Sequence, residues 1–182
     1  MKKIILNHLQ GKKILILFLL TNSIYAFMLF VTIPKVMQYA GGARILDMMP
    51  TGYAPFYVDL LFNELGEQGR SIYLTNQIPV DMIYPFLFGI CYCLLMTFFL
   101  KKLGRLDHWA FYFSYLPLAA GLFDYLENLG VILMLNSFPN ISPSLVQISS
   151  TFTLLKSGLT TLYFLALSFT LLAFVVYLIQ KR

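Results

Sequence analysis

The chain has 182 residues, 59% of them hydrophobic and only 12% charged, with a mean hydropathy of +0.75. Soluble domains sit near 45–50% apolar and about 25% charged, so the excess must face lipid, which excludes a disordered chain or a disulfide-stapled secreted domain. The net charge of +5 is spread along the sequence in a way that marks membrane orientation, not a face for nucleic acid.

Four apolar runs are long enough for a bilayer-spanning helix, which takes about 20 residues. The first runs from Ile14 to about Thr32, between Lys12-Lys13 and Pro34-Lys35. Its basic start and the small residues Ser23 and Ala26 imitate a signal peptide, but the apolar run continues through Val31, so an uncleaved anchor is expected. A long outer segment, 33–80, follows. Within it Pro55 suits the first turn of a helix that runs to Leu65 and stops at Gly66. Phe56, Leu60, Leu61 and Leu65 recur at helical spacing, with Asp59, Asn63 and Glu64 on the remaining surface, so this helix is expected to cap the bundle. A second short helix is expected from about Gly69-Arg70 to Asn76, before Pro79 leads into the next span.

The second span runs from about Met82 to Leu100 and stops at Lys101-Lys102. Cys91 and Cys93 fall on nearly opposite faces of it and read as apolar packing. The third, Trp109 to about Leu135, is longer than the hydrocarbon core is thick and must tilt or project. Trp109 and Tyr112 suit an interfacial aromatic belt. The fourth runs from about Ser150 to Ile179. None of the four alternates as barrel strands do, so all are helices.

Lys2, Lys3, Lys12, Lys13, Lys101, Lys102, Arg105, Lys181 and Arg182 all fall on one side of this arrangement. The positive-inside rule then places both termini in the cytoplasm. The expected fold class is an all-α membrane protein, a single domain over 1–182: a four-transmembrane-helix bundle with a short helical cap segment on its outer face.

A charge at the centre of a span costs about 2.5–3.5 kcal/mol on insertion scales, so each one calls for a partner or a task. Asp124 and Glu127 stand on the third span, Lys156 on the fourth, and Asp81 opens the second. At about 1.5 Å of rise per residue, Lys156 lies roughly 9 Å in from Ser150 and Glu127 roughly 12 Å in from Leu135, with Asp124 one turn deeper. The levels match, and Arg70 comes from the same side. Asp124, Glu127 and Asn128 share one helix face; Thr153, Lys156, Thr160 and Tyr163 form one stripe; Asp81 and Tyr84 share another, and Pro85 frees the carbonyl of Asp81.

A polar pocket in the outer half of the bundle follows. Asp124, Glu127 and Lys156 are its candidate catalytic groups, and Arg70, Asp81, Tyr84, Asn128 and Thr160 its candidate binding groups. Three carboxylates against two cations leave surplus negative charge at low dielectric, the arrangement from which acid/base sites are made. The competing expectation is an ion network that only fixes helix order. His8 and His108 have no Cys or carboxylate at ligand spacing, and no serine-hydrolase, zinc-protease, phosphate-loop or dinucleotide motif is present, so neither metal nor cofactor is expected.

The elements Gly66-Gly69-Arg70-Tyr73, Asp81-Tyr84-Pro85, Leu116-Pro117 with Asp124-Glu127-Asn128, and Lys156 resemble an uncharacterised family of small bacterial four-span integral membrane proteins. The likeness covers about Phe56 to Lys156 and departs at Ser157, where similar sequences often carry Trp. It implies this architecture and a bacterial inner membrane, and it brings no activity. The function expected is binding or conversion of a lipid-like or amphipathic small molecule, with membrane lipid as the surroundings. Two alternatives are a small proton-coupled transporter acting as a homodimer, and an accessory membrane subunit with a structural ion network.

Overall fold

The structure, a computed structural model, describes residue 6 and residues 9–181. Lys2, Lys3, His8 and Arg182, used above, lie outside the described residues. Helix α1 (Gly11–Phe27) passes through a π turn (Met28–Thr32) into α2 (Ile33–Met37) and a closing 3-10 turn (Gln38–Ala40). A 3-10 turn at Leu46–Met48 precedes α3 (Pro55–Ile72), which passes through a second π turn (Tyr73–Gln77) into α4 (Ile78–Lys102). A 3-10 stretch (Trp109–Tyr115) leads into α5 (Leu116–Ser137), and α6 (Pro143–Gln180) ends the chain. The described residues hold no strand, and four helical stretches, Gly11–Ala40, Pro55–Lys102, Trp109–Ser137 and Pro143–Gln180, are long and apolar enough to cross a membrane.

The number of helices long and apolar enough to span a membrane is as expected, but their ends are not, and proline is the reason. Pro34 and Pro79 lack an N–H and crowd the carbonyl one turn back, so each was expected to stand at a helix boundary. Each instead directly follows a π turn, whose wider ring absorbs the defect and lets the helix continue. Span one therefore runs past Pro34-Lys35 to Ala40, and the expected separate helix at 69–76 is instead the lead-in to α4. The two π turns meet: Thr32 Oγ1 donates to Gln77 Oε1. The fourth helix likewise starts at Pro143, ahead of Ser150, because Pro143 occupies its first turn behind an extended Ser142.

The expected stop at Gly66 appears as a kink, with φ 61 and ψ −177. The conformation suits glycine, and it frees the Phe62 carbonyl, which accepts a 2.6 Å hydrogen bond from Arg70 Nη1. The Arg70 guanidinium lies 4.3 Å over the Phe138 ring. The cap helix buries Val58, Leu61, Phe62 and Leu65 against Ile45, Leu46, Val131, Met134 and Val146. Phe56 and Leu60, assigned to that face from their spacing, are exposed. The buried stripe is offset because the cap must fit the ends of α5 and α6, a tertiary constraint that periodicity does not carry.

Around the bundle α1 packs on α4, α4 on α5, and α5 on α6 as an antiparallel hairpin. Among the described residues α1 and α6 share no comparable seam, so the ring is open on one side. Away from the cap, Phe88, Cys91, Tyr92, Met96, Phe111 and Tyr163 form a second core, pinned by Tyr163 Oη donating to the Tyr92 carbonyl at 2.7 Å. Cys91 and Cys93 are both buried and free.

Candidate functional site

The hairpin register brings the in-span charges together. Gly130 lies against Ser149, where a Cβ would collide with that side chain, and this close approach sets α5 on α6. One turn further from the cap, Thr153 Oγ1 donates to Glu127 Oε1 at 2.7 Å. The next turn carries Lys156, whose Nζ reaches Asp124 Oδ1 at 3.1 Å and pairs with Glu127 Oε2. Lys156 stands thirteen residues past Pro143 and Glu127 ten before Ser137, about 20 and about 15 Å from those helix ends. That is further than the sequence distances of 9 and 12 Å, because both helices extend beyond their apolar runs.

On α4, Pro85 leaves the Asp81 carbonyl without its helical donor, and Asn128 Nδ2 donates to it at 3.4 Å. Gly121 makes room for the same bend, since a Cβ there would lie 2.8 Å from the Pro85 carbonyl oxygen. Asn128 Oδ1 is buried with no hydrogen-bond partner among the described residues. The Asp81 side chain, on a residue 3% exposed, likewise has neither a hydrogen bond nor an ion pair there.

A cavity of about 280 Å³ occupies the open side of the ring. Tyr25, Met28 and Ile33 line it from the first span, and Asp81, Tyr84 and Phe88 from α4. Asp124 of α5 and Lys156, Ser157, Thr160 and Thr161 of α6 complete the wall, with Asp47, Met48 and Pro50 from the loop under the cap. Of the candidates, Asp81, Tyr84, Asp124, Lys156 and Thr160 therefore share one space. Glu127 and Asn128 stand directly behind it. Arg70 does not belong to it: the kink at Gly66 turns Arg70 back onto Phe62 and Phe138, where it holds the cap.

Asp47 was missed by sequence reasoning. It sits on the 3-10 turn Leu46–Met48 and accepts from Gln77 Nε2 at 3.4 Å through Oδ2. The fully buried Tyr73 lies beside it, yet neither the Tyr73 hydroxyl nor Asp47 Oδ1 completes a hydrogen bond within the described residues. Burial first, and the nearby Glu127 charge second, push the Asp47 carboxyl up to about 7. The available signal was an acid flanked by Ile45, Leu46, Met48 and Met49. Tyr53 ties the same loop to α6, its hydroxyl 2.8 Å from Ser149 Oγ and its N–H donating to Ser150 Oγ at 2.9 Å. Burial raises the Tyr53 hydroxyl to about 12, so it keeps its proton. His108 spends Nδ1 accepting the Ala110 N–H at 3.2 Å.

No protein family, curated protein or solved structure matches the chain. What the site can do rests on its own chemistry: a half-open space with an apolar side, a lysine held by two carboxylates, and two further acids on its rim.

Proposed function

We propose that this is a multi-pass membrane protein that takes an amphipathic, lipid-like small molecule from the bilayer into the cavity between α1 and α6. The polar end of the molecule sits at Asp81, Asp124 and Lys156, and its apolar part lies along Met28, Leu29 and Phe88. The carrying observation is the position of the cavity: among the described residues, the flank of the helix ring without a packed seam coincides with the in-span charges. A network serving helix order alone would have its acids paired and its surroundings filled, whereas Asp81 is buried beside open volume with no hydrogen bond or ion pair among the described residues. With Lys12, Lys13, Lys101, Lys102, Arg105 and Lys181 at the end away from the cap, the termini face the cytoplasm of a bacterial inner membrane. Asp124 and Glu127 beside a lysine are equipped to move a proton on the bound molecule, which would support isomerisation or cyclisation.

The test is a structure of the full chain in lipid nanodiscs, together with mass spectrometry of the amphiphiles it retains. A non-protein density between α1 and α6, against Lys156, is expected. Continuous side-chain packing across that flank would sink the proposal. Once a turnover is found, Asp124→Asn, Glu127→Gln and Lys156→Met should each reduce it, and three unaffected variants would remove the proton-transfer role.

A further inference from the structure

Among the described residues, acids outnumber cations on the cavity wall. Lys156 is the single cation there, and it is already committed to Asp124 and Glu127. Arg70 is turned away onto Phe138, and Lys35 and Arg44 are exposed on the outside. Asp81 and Asp47 also line the space. Asp81 is 3% exposed, lines the cavity, and makes no hydrogen bond or ion pair among the described residues, although the Lys156 charge acts on it from a distance. Beside it the wall is aromatic: Tyr84 and Phe88 follow on the same helix with ring centroids 5.7 Å apart, and Tyr25 of α1 stacks on Tyr84 at 5.3 Å.

These features select between the three kinds of head group an amphiphile can carry. An anionic head would enter a wall where acids outnumber the one lysine, and like charges at low dielectric repel strongly. A neutral head would leave Asp81 buried beside it without a counter-charge. A cationic head would complete an ion pair with Asp81 and lie beside the stacked Tyr25–Tyr84 pair, whose outward ring face is electron-rich, the arrangement by which proteins recognise ammonium groups.

We propose that the molecule taken into this cavity is a lipophilic cation, an amine or quaternary-ammonium amphiphile whose head sits at Asp81 beside the stacked Tyr25–Tyr84 pair. This rests on the reading of the cavity as an amphiphile site and adds the charge of the occupant. Binding here is non-covalent, with Asp81 as the counter-ion, Tyr25 and Tyr84 as the aromatic side, and the Lys156 pairs left in place.

The experiment uses the full chain in a neutral maltoside detergent and three probes of related shape: tetraphenylphosphonium, tetraphenylborate and uncharged triphenylphosphine oxide, measured by equilibrium dialysis. The cation should bind at least about tenfold more tightly than either of the others. Asp81→Asn should remove about that factor for the cation alone, and Tyr25→Leu should weaken it several-fold. Tyr25 is partly exposed, so its variant keeps the test sound even if Asp81→Asn fails to fold, which the thermal transition reports. Equal binding of the three probes, preference for the borate, or cation binding unmoved in both variants would overturn the cation while leaving an amphiphile site standing. Binding of none of the three would overturn both readings.

Discussion

Helix α6 has two flanks at the level of Lys156, and they differ in almost every respect except composition. On the flank toward α5, Ser149, Thr153 and Lys156 meet Gly130, Glu127 and Asp124 turn by turn, and the polar groups satisfy one another. On the flank toward α1, Ser157, Thr160 and Thr161 face a cavity. Gly130 marks the closed flank, and Gly158, exposed and outside the cavity lining, is an unpacked reference on α6. A Cβ at Gly130 would collide with Ser149, whereas a Cβ at Gly158 would meet nothing within 4 Å. Polar residues within long apolar helices thus make a seam where a small residue lets the neighbour approach. Where the neighbour stays away, the same residue types line a site.

The most severe way to break the closed flank is Lys156→Met. It leaves Asp124 and Glu127 buried without their cation, which should cost about 3–5 kcal/mol. Thermal unfolding in detergent should fall by many degrees. Adding Asp124→Asn and Glu127→Gln to the same chain should recover most of the loss, because the cost lies in uncompensated charge. An unchanged transition in the single variant would mean that the ion pairs do not hold the seam.

Asp47 stands over the open flank, and its effect is a pH dependence. Its carboxyl, at 3.8 in the unfolded chain and about 7 in the native one, keeps a proton that the unfolded chain releases. The native state therefore binds more protons between about pH 4 and 7, so stability falls as pH rises through that window and is level above it. Asp47→Asn should flatten the profile and be the more stable form at pH 8, by up to about 4 kcal/mol. Thermal transitions measured from pH 4 to 8 read this directly, and parallel profiles for the two chains would discard Asp47 as the titrating group.

The closed flank was largely legible in the sequence, and the open one only in part. The match of Asp124 and Glu127 with Lys156 followed from spacing, and so did the freed carbonyl at Asp81, because helix geometry converts residue number into face and level. What could not be read was anything set by a break in that geometry. The π turns at Met28–Thr32 and Tyr73–Gln77 carry helices through prolines that usually end them. The kink at Gly66 takes Arg70 out of the site. Asp47 lies in a turn-rich stretch with no period to assign its direction. That α1 stands away from α6 is a property of the whole bundle, and no single run of residues encodes it.

A milder probe of the closed flank is Gly130→Ala. One methyl group pressed into Ser149 should cost about 1–3 kcal/mol by overpacking, while Gly158→Ala should be neutral or gain up to about 1 kcal/mol from helix propensity. Thermal unfolding of the two variants side by side makes the contrast quantitative. Equal losses would mean that the seam at Gly130 is packed no more closely than the surface at Gly158.

The smallest expected change in stability comes from the largest added side chain, and that inversion is the sharpest form of the comparison. Ser157 lines the cavity beside Lys156 and is partly exposed, so Ser157→Trp places an indole where volume already exists. Stability should move by no more than about 0.5 kcal/mol, as for substitutions away from packed features, because the ring can occupy the gap without displacing α1 or α6. Occupancy of the cavity should nevertheless be lost: retention of the co-purifying amphiphile, or binding of a probe, should drop by at least about tenfold as the indole takes the same space. A Trp of this size in the α5–α6 seam, at Ser149, would force the helices apart. The two readouts therefore have to dissociate at position 157, with binding lost and the thermal transition kept. If Ser157→Trp instead lowers the transition as much as Gly130→Ala does, the flank between α1 and α6 is filled in the native membrane, and the cavity is not where a ligand enters.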